Sequence, residues 1–277
     1  MKLPCMSTRE SSYIHGISPE EQARLGRLNE LLNLASLKEL SLGEGDLVLD
    51  VGAGLGQFSR AMARAARRPV VGVERSSEQI AEALRLARSE GEAELIDLRQ
   101  GDATALPLTA EERRSFDVAH ARFLLEHVRE PLRVVREMVG AVRPGGRVVL
   151  ADDDHDLMRL YPSPPGLHEV WEAFVRGFDR LGNDPFVGRR LTGLLHGAGA
   201  VPSRITWVFF GGCAGESSFR IVFDNFIEVL RGARDPILGA GIEPAQFEAA
   251  LEALDAFALR PDAAFWYAMA WAEGRVP

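Results

Sequence analysis

Short runs of consecutive apolar residues alternate along this chain with stretches whose apolar residues recur every three or four positions. DLVLDV (Asp46 to Val51) leads into QFSRAMARAARR, and PVVGVE (Pro69 to Glu74) leads into SEQIAEALRLARSEG. The second of these helices has Ser76 or Ser77 as its N-cap and ends at Gly91. AELIDLRQ and SFDVAHAR (Ser115 to Arg122) read as two more strands. PLRVVREMVGAVRPGG (Pro131 to Gly146) reads as a helix with Pro near its start and Pro-Gly-Gly closing it, and RVVLAD (Arg147 to Asp152) as the next strand. Strands that are apolar on consecutive positions and separated by helices predict a parallel sheet covered on both faces. The expected fold is therefore a doubly wound, Rossmann-like α/β sheet.

Beyond Asp156 the rhythm changes. PPGLHEVWEAFVRGFDRLG, VGRRLTGLLHGAGA, SFRIVFDNFIEVLRGA and EPAQFEAALEALDAFA have helical spacing. SRITWVFFGG and the final AAFWYAMAWAEG read as strands, and SPEEQARLGRLNELLNLASLKEL near the start is another amphipathic stretch. The expectation is a single domain over 1–277: an N-terminal helical cover (1–43), a cofactor-binding core (44–156), and a C-terminal part (157–277) holding helical lid insertions and the last strands. Composition narrows the function classes. Among 277 residues, 46% are hydrophobic and 26% charged, enough for a sizeable core. A net charge of −8 argues against a broad phosphate-binding surface, and hence against nucleic acid. Cys5 and Cys213, the two cysteines, lie far apart and without metal-ligand spacing. MKLPCMSTRESS lacks an apolar core of the signal type, and no run reaches 18 apolar residues. A soluble, cytoplasmic protein with no membrane partner is expected.

The chemistry gathers around DVGAGLGQF, where Gly52, Gly54 and Gly56 follow a strand at alternate positions. A glycine-rich strand-to-helix turn lets a ligand lie against backbone N–H groups. Glu74 ends the next strand about 20 residues on, where a carboxylate can accept both hydroxyls of a ribose. GDATALP (Gly101 to Pro107) puts Asp102 at the same edge of the sheet.

Taken together, these pieces resemble the class I S-adenosylmethionine-dependent methyltransferases over roughly Leu47 to Asp152. The matching features are D-V-G-A-G-L-G, Glu74, the GDA loop and VRPGG before RVVLAD. YIHGISPEEQARL, NDPFVGRRLTGLLHGAGA and the aromatic C-terminal run are similar to a bacterial group acting on small molecules, often secondary metabolites. The resemblance implies a seven-stranded sheet in the order 3-2-1-4-5-7-6 with strand 7 antiparallel. It implies S-adenosylmethionine as cofactor, S-adenosylhomocysteine as product, and no metal. Gly52 and Gly54 would let the backbone approach the methionine and ribose part, and Glu74 would bind the ribose hydroxyls with Gln79 contributing. Asp102 and the backbone at Ala103 would meet the adenine amino edge, and Arg122 the methionine part through its carbonyl. Asp50 would organise the glycine turn or reach the ligand's amino group. Tyr13 and His15 would lie over the cofactor.

Each residue also has a plainer reading. The glycines serve a tight turn, Asp102 is an ordinary loop residue, and Trp171, Phe174, Phe178, Phe223 and Phe226 are core. ADDDHD (Ala151 to Asp156) suits a divalent metal in composition, but such a site needs ligands from several segments, and no partner cluster shows in the sequence. Methyl transfer to a small, apolar or aromatic molecule is the favoured function. A nicotinamide-dependent oxidoreductase and a catalytically silent cofactor-binding partner are the alternatives. HARF after the fourth strand is unlike the Asn-Pro-Pro-Tyr type used on base amines. A base is needed only if the acceptor must lose a proton. His155, just past strand five, is the first candidate and His127, just past strand four, the second; the acceptor, its nucleophilic atom and the oligomeric state stay open.

Overall fold

The computed structural model describes residues 19–277. Its ten strands are β1 (Val48–Val51), β2 (Val70–Glu74), β3 (Ile96–Gln100), β4 (Phe116–Arg122), β5 (Val142–Asp152), β6 (Arg159–Tyr161), β7 (Val201–Phe209), β8 (Gly212–Cys213), β9 (Ala264–Trp266) and β10 (Ala268–Arg275). The α-helices are α1 (Pro19–Leu40), α2 (Gln57–Ala66), α3 (Ser77–Ser89), α4 (Pro131–Ala141), α5 (Leu167–Leu181), α6 (Leu191–Gly197), α7 (Phe219–Gly232), α8 (Arg234–Gly239) and α9 (Pro244–Phe257). Seven strands form one sheet in the order β3-β2-β1-β4-β5-β10-β7. The first five are mutually parallel, and β10 runs antiparallel to both neighbours. Counted within that sheet, this is the expected order with the seventh strand reversed.

Burial explains why β1 is apolar at successive positions. Val48 packs with Leu40, Phe58 and Met62 on one face, whereas Leu49 and Val51 pack with Val134, Val135 and Met138 on the other. Side chains of a strand alternate between faces, so a strand covered twice needs apolar residues throughout. The C-terminal half of α1 belongs to this packing: Leu40 and Ser36 are fully buried. The helical additions have an apolar cluster of their own, where Phe219, Phe223, Phe226, Leu254, Phe257 and Phe265 pack together. Beside it lies a small sheet in the order β6-β9-β8.

Three local features depart from the sequence pattern. The helix expected to run to Gly146 stops at Ala141, because Val142 already pairs with Phe116 and a bulge then carries β5 onward. Gly146 is required there: a Cβ would sit 2.5 Å from Val142 Cγ1 and 2.8 Å from Asp117 O. The final apolar run divides at Tyr267 into β9 and β10, which join different sheets. Helix α8 and strands β6 and β8 are too short to leave a periodic signal. Among the described residues no helix is long and apolar enough to cross a membrane.

Candidate active site

The chain leaves β1 through three left-handed glycines, Gly52 (φ 80°), Gly54 (φ 53°) and Gly56 (φ 66°). The first two peptide groups stay tied to β2, as Gly52 and Ala53 both donate to Val73 O, at 2.8 and 3.1 Å. The Glu74 carboxylate closes the turn. Its Oε2 accepts the Gly54 N–H at 3.1 Å and its Oε1 accepts the Ser76 N–H at 2.9 Å. Ser76 caps α3 by accepting from the Gln79 N–H at 3.2 Å. Gln79 then turns its amide towards the glycines, since a Cβ on Gly54 would lie 3.6 Å from Gln79 Oε1. Gly52 is crossed by Leu124, whose Cδ1 would be 3.2 Å from a Cβ there. Gly52, Gly54, Glu74 and Gln79 are thus brought together at one edge of the sheet.

Asp50 lies beneath this turn. Its Oδ2 accepts the Ser59 hydroxyl at 2.5 Å, and its Oδ1 is 3.0 Å from His120 Nδ1. These bonds tie the end of β1 to α2 and to β4. The sequence signal for His120 is a polar residue flanked by the buried alanines Ala119 and Ala121 in the strand FDVAHAR. Asp102 is exposed and accepts both the N–H and the hydroxyl of Thr104 on Oδ1, each at 2.7 Å. The same two bonds hold its carboxyl below the ordinary aspartate value. That is the Asx-turn geometry of a loop residue, with the carboxylate charged and facing solvent beside a half-buried Ala103. The Arg122 side chain turns away towards α1. It donates to Asn33 Oδ1 at 2.8 Å and Ser36 Oγ at 3.2 Å, and it lies 4.3 Å from the Phe58 ring centre. Burial pushes its pKa down to about 10. Only its backbone is left at the strand end, where Phe123 adopts φ 52°, a conformation costing a non-glycine residue about 1–2 kcal/mol.

That turn of Phe123 aims the next two N–H groups at β5. Leu124 and Leu125 donate to Asp152 Oδ2 at 3.1 and 2.7 Å, and Asp153 N–H donates to Asp152 Oδ1 at 3.1 Å. Beyond it lies a buried polar cluster. His155 Nε2 is 3.1 Å from Glu126 Oε2, and His155 Nδ1 is 2.9 Å from the Tyr267 hydroxyl. His127 Nε2 approaches the other Glu126 oxygen at 3.3 Å and remains half exposed, stacked on Phe178. Burial works to lower His155 and to raise Glu126, but their mutual bond outweighs it, so His155 is shifted up and Glu126 down. Burial, then the Glu126 charge, pushes Asp153 up to about 7, and Asp152 is driven well above its usual range. Asp154 is neutralised by Arg189, whose guanidinium donates to both its oxygens at 2.6 and 2.7 Å. The segment NDPFVGRR holds the backbone of this cluster. Asp184 N–H donates to Glu126 O, His155 N–H to Pro185 O, and Gly188 N–H to Asp153 O, at 2.9–3.1 Å. A groove of about 630 Å³ reaches His155 between β6 and α5, lined by Met158, Leu160, Leu167, Trp171 and Val175 as well as charged side chains.

Residues 49–150 match the family model described as a methyltransferase domain, and the reversed seventh strand is the sheet order expected of it. Over those residues the chain is similar to the class I S-adenosylmethionine-dependent methyltransferases, and its sheet has their strand order. It is 32% identical over 209 residues to an uncharacterized 37.1 kDa protein in transposon TN4556 of Streptomyces fradiae, covering 72% of this chain and 55% of that one. It is 33% identical over 153 residues to the 27-O-demethylrifamycin SV methyltransferase of Amycolatopsis mediterranei (strain S699), covering 55% and 53%. The chain spans about half the length of these curated relatives. Among solved structures it shares its fold with the [4+2]-cyclase SpnF (TM-score 0.55, 24% identity, 90% of this chain and 82% of that one). It does so also with geranyl diphosphate C-methyltransferase from Streptomyces coelicolor A3(2) (TM-score 0.57, 14% identity, 98% and 86%).

Within this methyltransferase fold the expected site residues fall into three sets. Gly52, Gly54, Glu74 and Gln79 converge; Asp50 and Arg122 are engaged inside the chain; Asp102 and Ala103 line the neighbouring loop. Tyr13 and His15 lie outside the described residues. His127 and His155 do meet, but through Glu126, which the sequence reading passed over. Of the two histidines, His155 is buried with both nitrogens engaged and lies at the groove, whereas His127 is half exposed. Phe174, Phe223 and Phe226 are buried in the core of the additions, with Trp171 and Phe178 packed against it. Their helical spacing is core packing. ADDDHD also gains the converging residue it lacked, since Glu126 faces Asp153 and His155.

Proposed function

We propose that this protein transfers a methyl group from S-adenosylmethionine to a small, apolar or aromatic molecule. The observation that carries the reading is the Glu74 carboxylate, fixed by the Gly54 and Ser76 N–H groups at the mouth of the glycine turn. Held this way, it keeps lone pairs for two vicinal hydroxyls, and three left-handed glycines leave the backbone beside it bare. The residues present therefore fit the cofactor. Gly52, Gly54, Glu74 and Gln79 would hold its ribose and methionine part, Asp102 and Ala103 its base, and the Arg122 carbonyl its amino group. When bound, S-adenosylmethionine supplies an already activated methyl group on a sulfonium. The chain's own task is to align the acceptor and exclude water, which is mainly proximity and orientation. The groove beside α5, of a size suited to a small molecule and rich in apolar side chains, supports an apolar or aromatic acceptor.

Where the acceptor must lose a proton, His127 takes it and Glu126 holds the imidazole; His155 positions Glu126 from behind. General bases contribute typically about 10²–10⁴-fold in rate. Mass spectrometry of a metabolite extract incubated with the enzyme and the cofactor tests transfer, looking for products heavier by one methyl. With an acceptor in hand, His127→Ala at saturating cofactor should lose about 10²–10⁴-fold in rate; near-parental turnover would leave transfer to positioning alone. A second reading is a cofactor-binding protein that does not transfer methyl, and the shared fold of a [4+2]-cyclase gives it substance. It predicts tight cofactor binding with no S-adenosylhomocysteine formed with any acceptor. A nicotinamide enzyme gains no support, because its sheet is parallel to the last strand and β10 here is reversed.

A further inference from the structure

Glu126, Asp153 and His155 each offer one ligand atom to a common centre, and these atoms all lie within 4.8 Å of one another. Donors about 2.1 Å from a single ion stand roughly 3–4.2 Å apart in tetrahedral or octahedral geometry. The Glu126 Oε2 to His155 Nε2 separation is 3.1 Å. Asp153 supplies a second, independent sign. It is 9% exposed, and its buried Oδ1 has no hydrogen-bond partner among the described residues. Buried carboxylate oxygens are otherwise well provided for here. Asp152 accepts three backbone N–H groups, and Asp154 has Arg189. With Asp154 engaged by Arg189, the buried carboxyl groups of Glu126, Asp152 and Asp153 gather around one imidazole.

The geometry points to a binding site for one divalent first-row transition cation, of the Mn²⁺ or Zn²⁺ kind, held by Glu126, Asp153 and His155 beyond the end of β5. This goes beyond the methyl-transfer reading and does not rest on it. An imidazole nitrogen among the donors selects such a cation over Mg²⁺ or Ca²⁺, which prefer oxygen alone. The surroundings are those of a supported ligand set. The Tyr267 hydroxyl at His155 Nδ1 leaves Nε2 to face the centre, and the same hydroxyl interacts with the Asp153 carboxyl group. His127 steadies the outer Glu126 oxygen, and the Asp184–Gly188 backbone bonds to the chain at all three ligands. On binding, the His155 Nε2 lone pair goes to the cation and any proton it carried leaves to solvent. The ion ties together the β4–α4 connection and the segment after β5, with Tyr267 between β9 and β10 behind it.

The test uses the full chain, stripped with a chelator and dialysed against Mn²⁺, Zn²⁺ or Mg²⁺ alone. Bound metal per chain is measured by plasma mass spectrometry, and thermal unfolding is followed with each ion. About one equivalent of Mn²⁺ or Zn²⁺ is expected, with a midpoint raised by roughly 5 °C or more and Mg²⁺ at least about tenfold weaker. Asp153→Asn keeps the shape and removes the charge, and it should lower affinity at least about tenfold with an unchanged circular dichroism spectrum. Should that variant fail to fold, Tyr267→Phe makes the same comparison, with a loss of about 10–100-fold. Uptake below a tenth of an equivalent with no thermal shift, or parental affinity in a folded variant of either kind, overturns the proposal.

Discussion

At the glycine turn the polar partners are backbone N–H groups and one half-buried carboxylate at a chain edge with little side-chain cover. At the end of β5 they are four carboxylates and an imidazole, all buried. The turn can be assembled from neighbours in sequence and the next strand; the cluster needs residues 29 and 112 positions apart. The difference is one of energetics as well as distance. Removing a group from the turn costs a few hydrogen bonds at a wet edge. Removing one from the cluster leaves a charge without water or partner, which is far more costly. The first region leaves backbone and a carboxylate open at the sheet edge, and the second joins distant segments through buried groups.

The largest expected effect falls on the cluster. Glu126→Ala leaves the buried His155 without its counter-charge and should cost about 3–5 kcal/mol of stability in urea unfolding. A loss below about 1 kcal/mol would make the cluster no different from a surface pair. Gly52→Ala sharpens the other side. Its φ of 80° is unfavourable to any L side chain, and Leu124 must give way to a Cβ at 3.2 Å. The expected cost is about 1–2 kcal/mol, with cofactor affinity falling in step; denaturation and calorimetry on one preparation separate the two. The smallest effect is in acid. Bonds from Thr104 hold the Asp102 carboxyl below its unfolded value. Its contribution is therefore complete above about pH 4 and is lost as the pH falls through the lower folded value. Asp102→Asn should flatten that part of the acid limb, with a small loss of stability at pH 7 that disappears in acid, where the two proteins converge. An acid limb identical to the parent's would mean that Thr104 holds the charged and neutral forms alike.

What was legible in the sequence follows the same division. The strands from β1 to β5, the left-handed glycines and Glu74 lie in one βαβ unit or its repeats, where spacing alone fixes which residues meet. The reversed strand and its place between β5 and β7 came from likeness to a family, since no local signal sets strand order. Glu126 escaped because an acidic residue in LLEHV looks like any solvated charge until His155 is placed against it. Tyr267 escaped because the apolar run AAFWYAMAWAEG gives no sign of dividing there. Asp50 stands out beside the glycines, but its partner His120 lies 70 residues on and is joined to it only by the pairing of β1 with β4.

The central claim is that the glycine turn and Glu74 form the seat of S-adenosylmethionine, and titration calorimetry on the parent and Glu74→Ala tests it most directly. The account predicts one molecule of S-adenosylmethionine per parent chain, no comparable binding of NADH, and an affinity lowered by about 1–3 kcal/mol in the folded variant. Equal affinity in the two proteins, or NADH bound more tightly than S-adenosylmethionine by the parent, would contradict it.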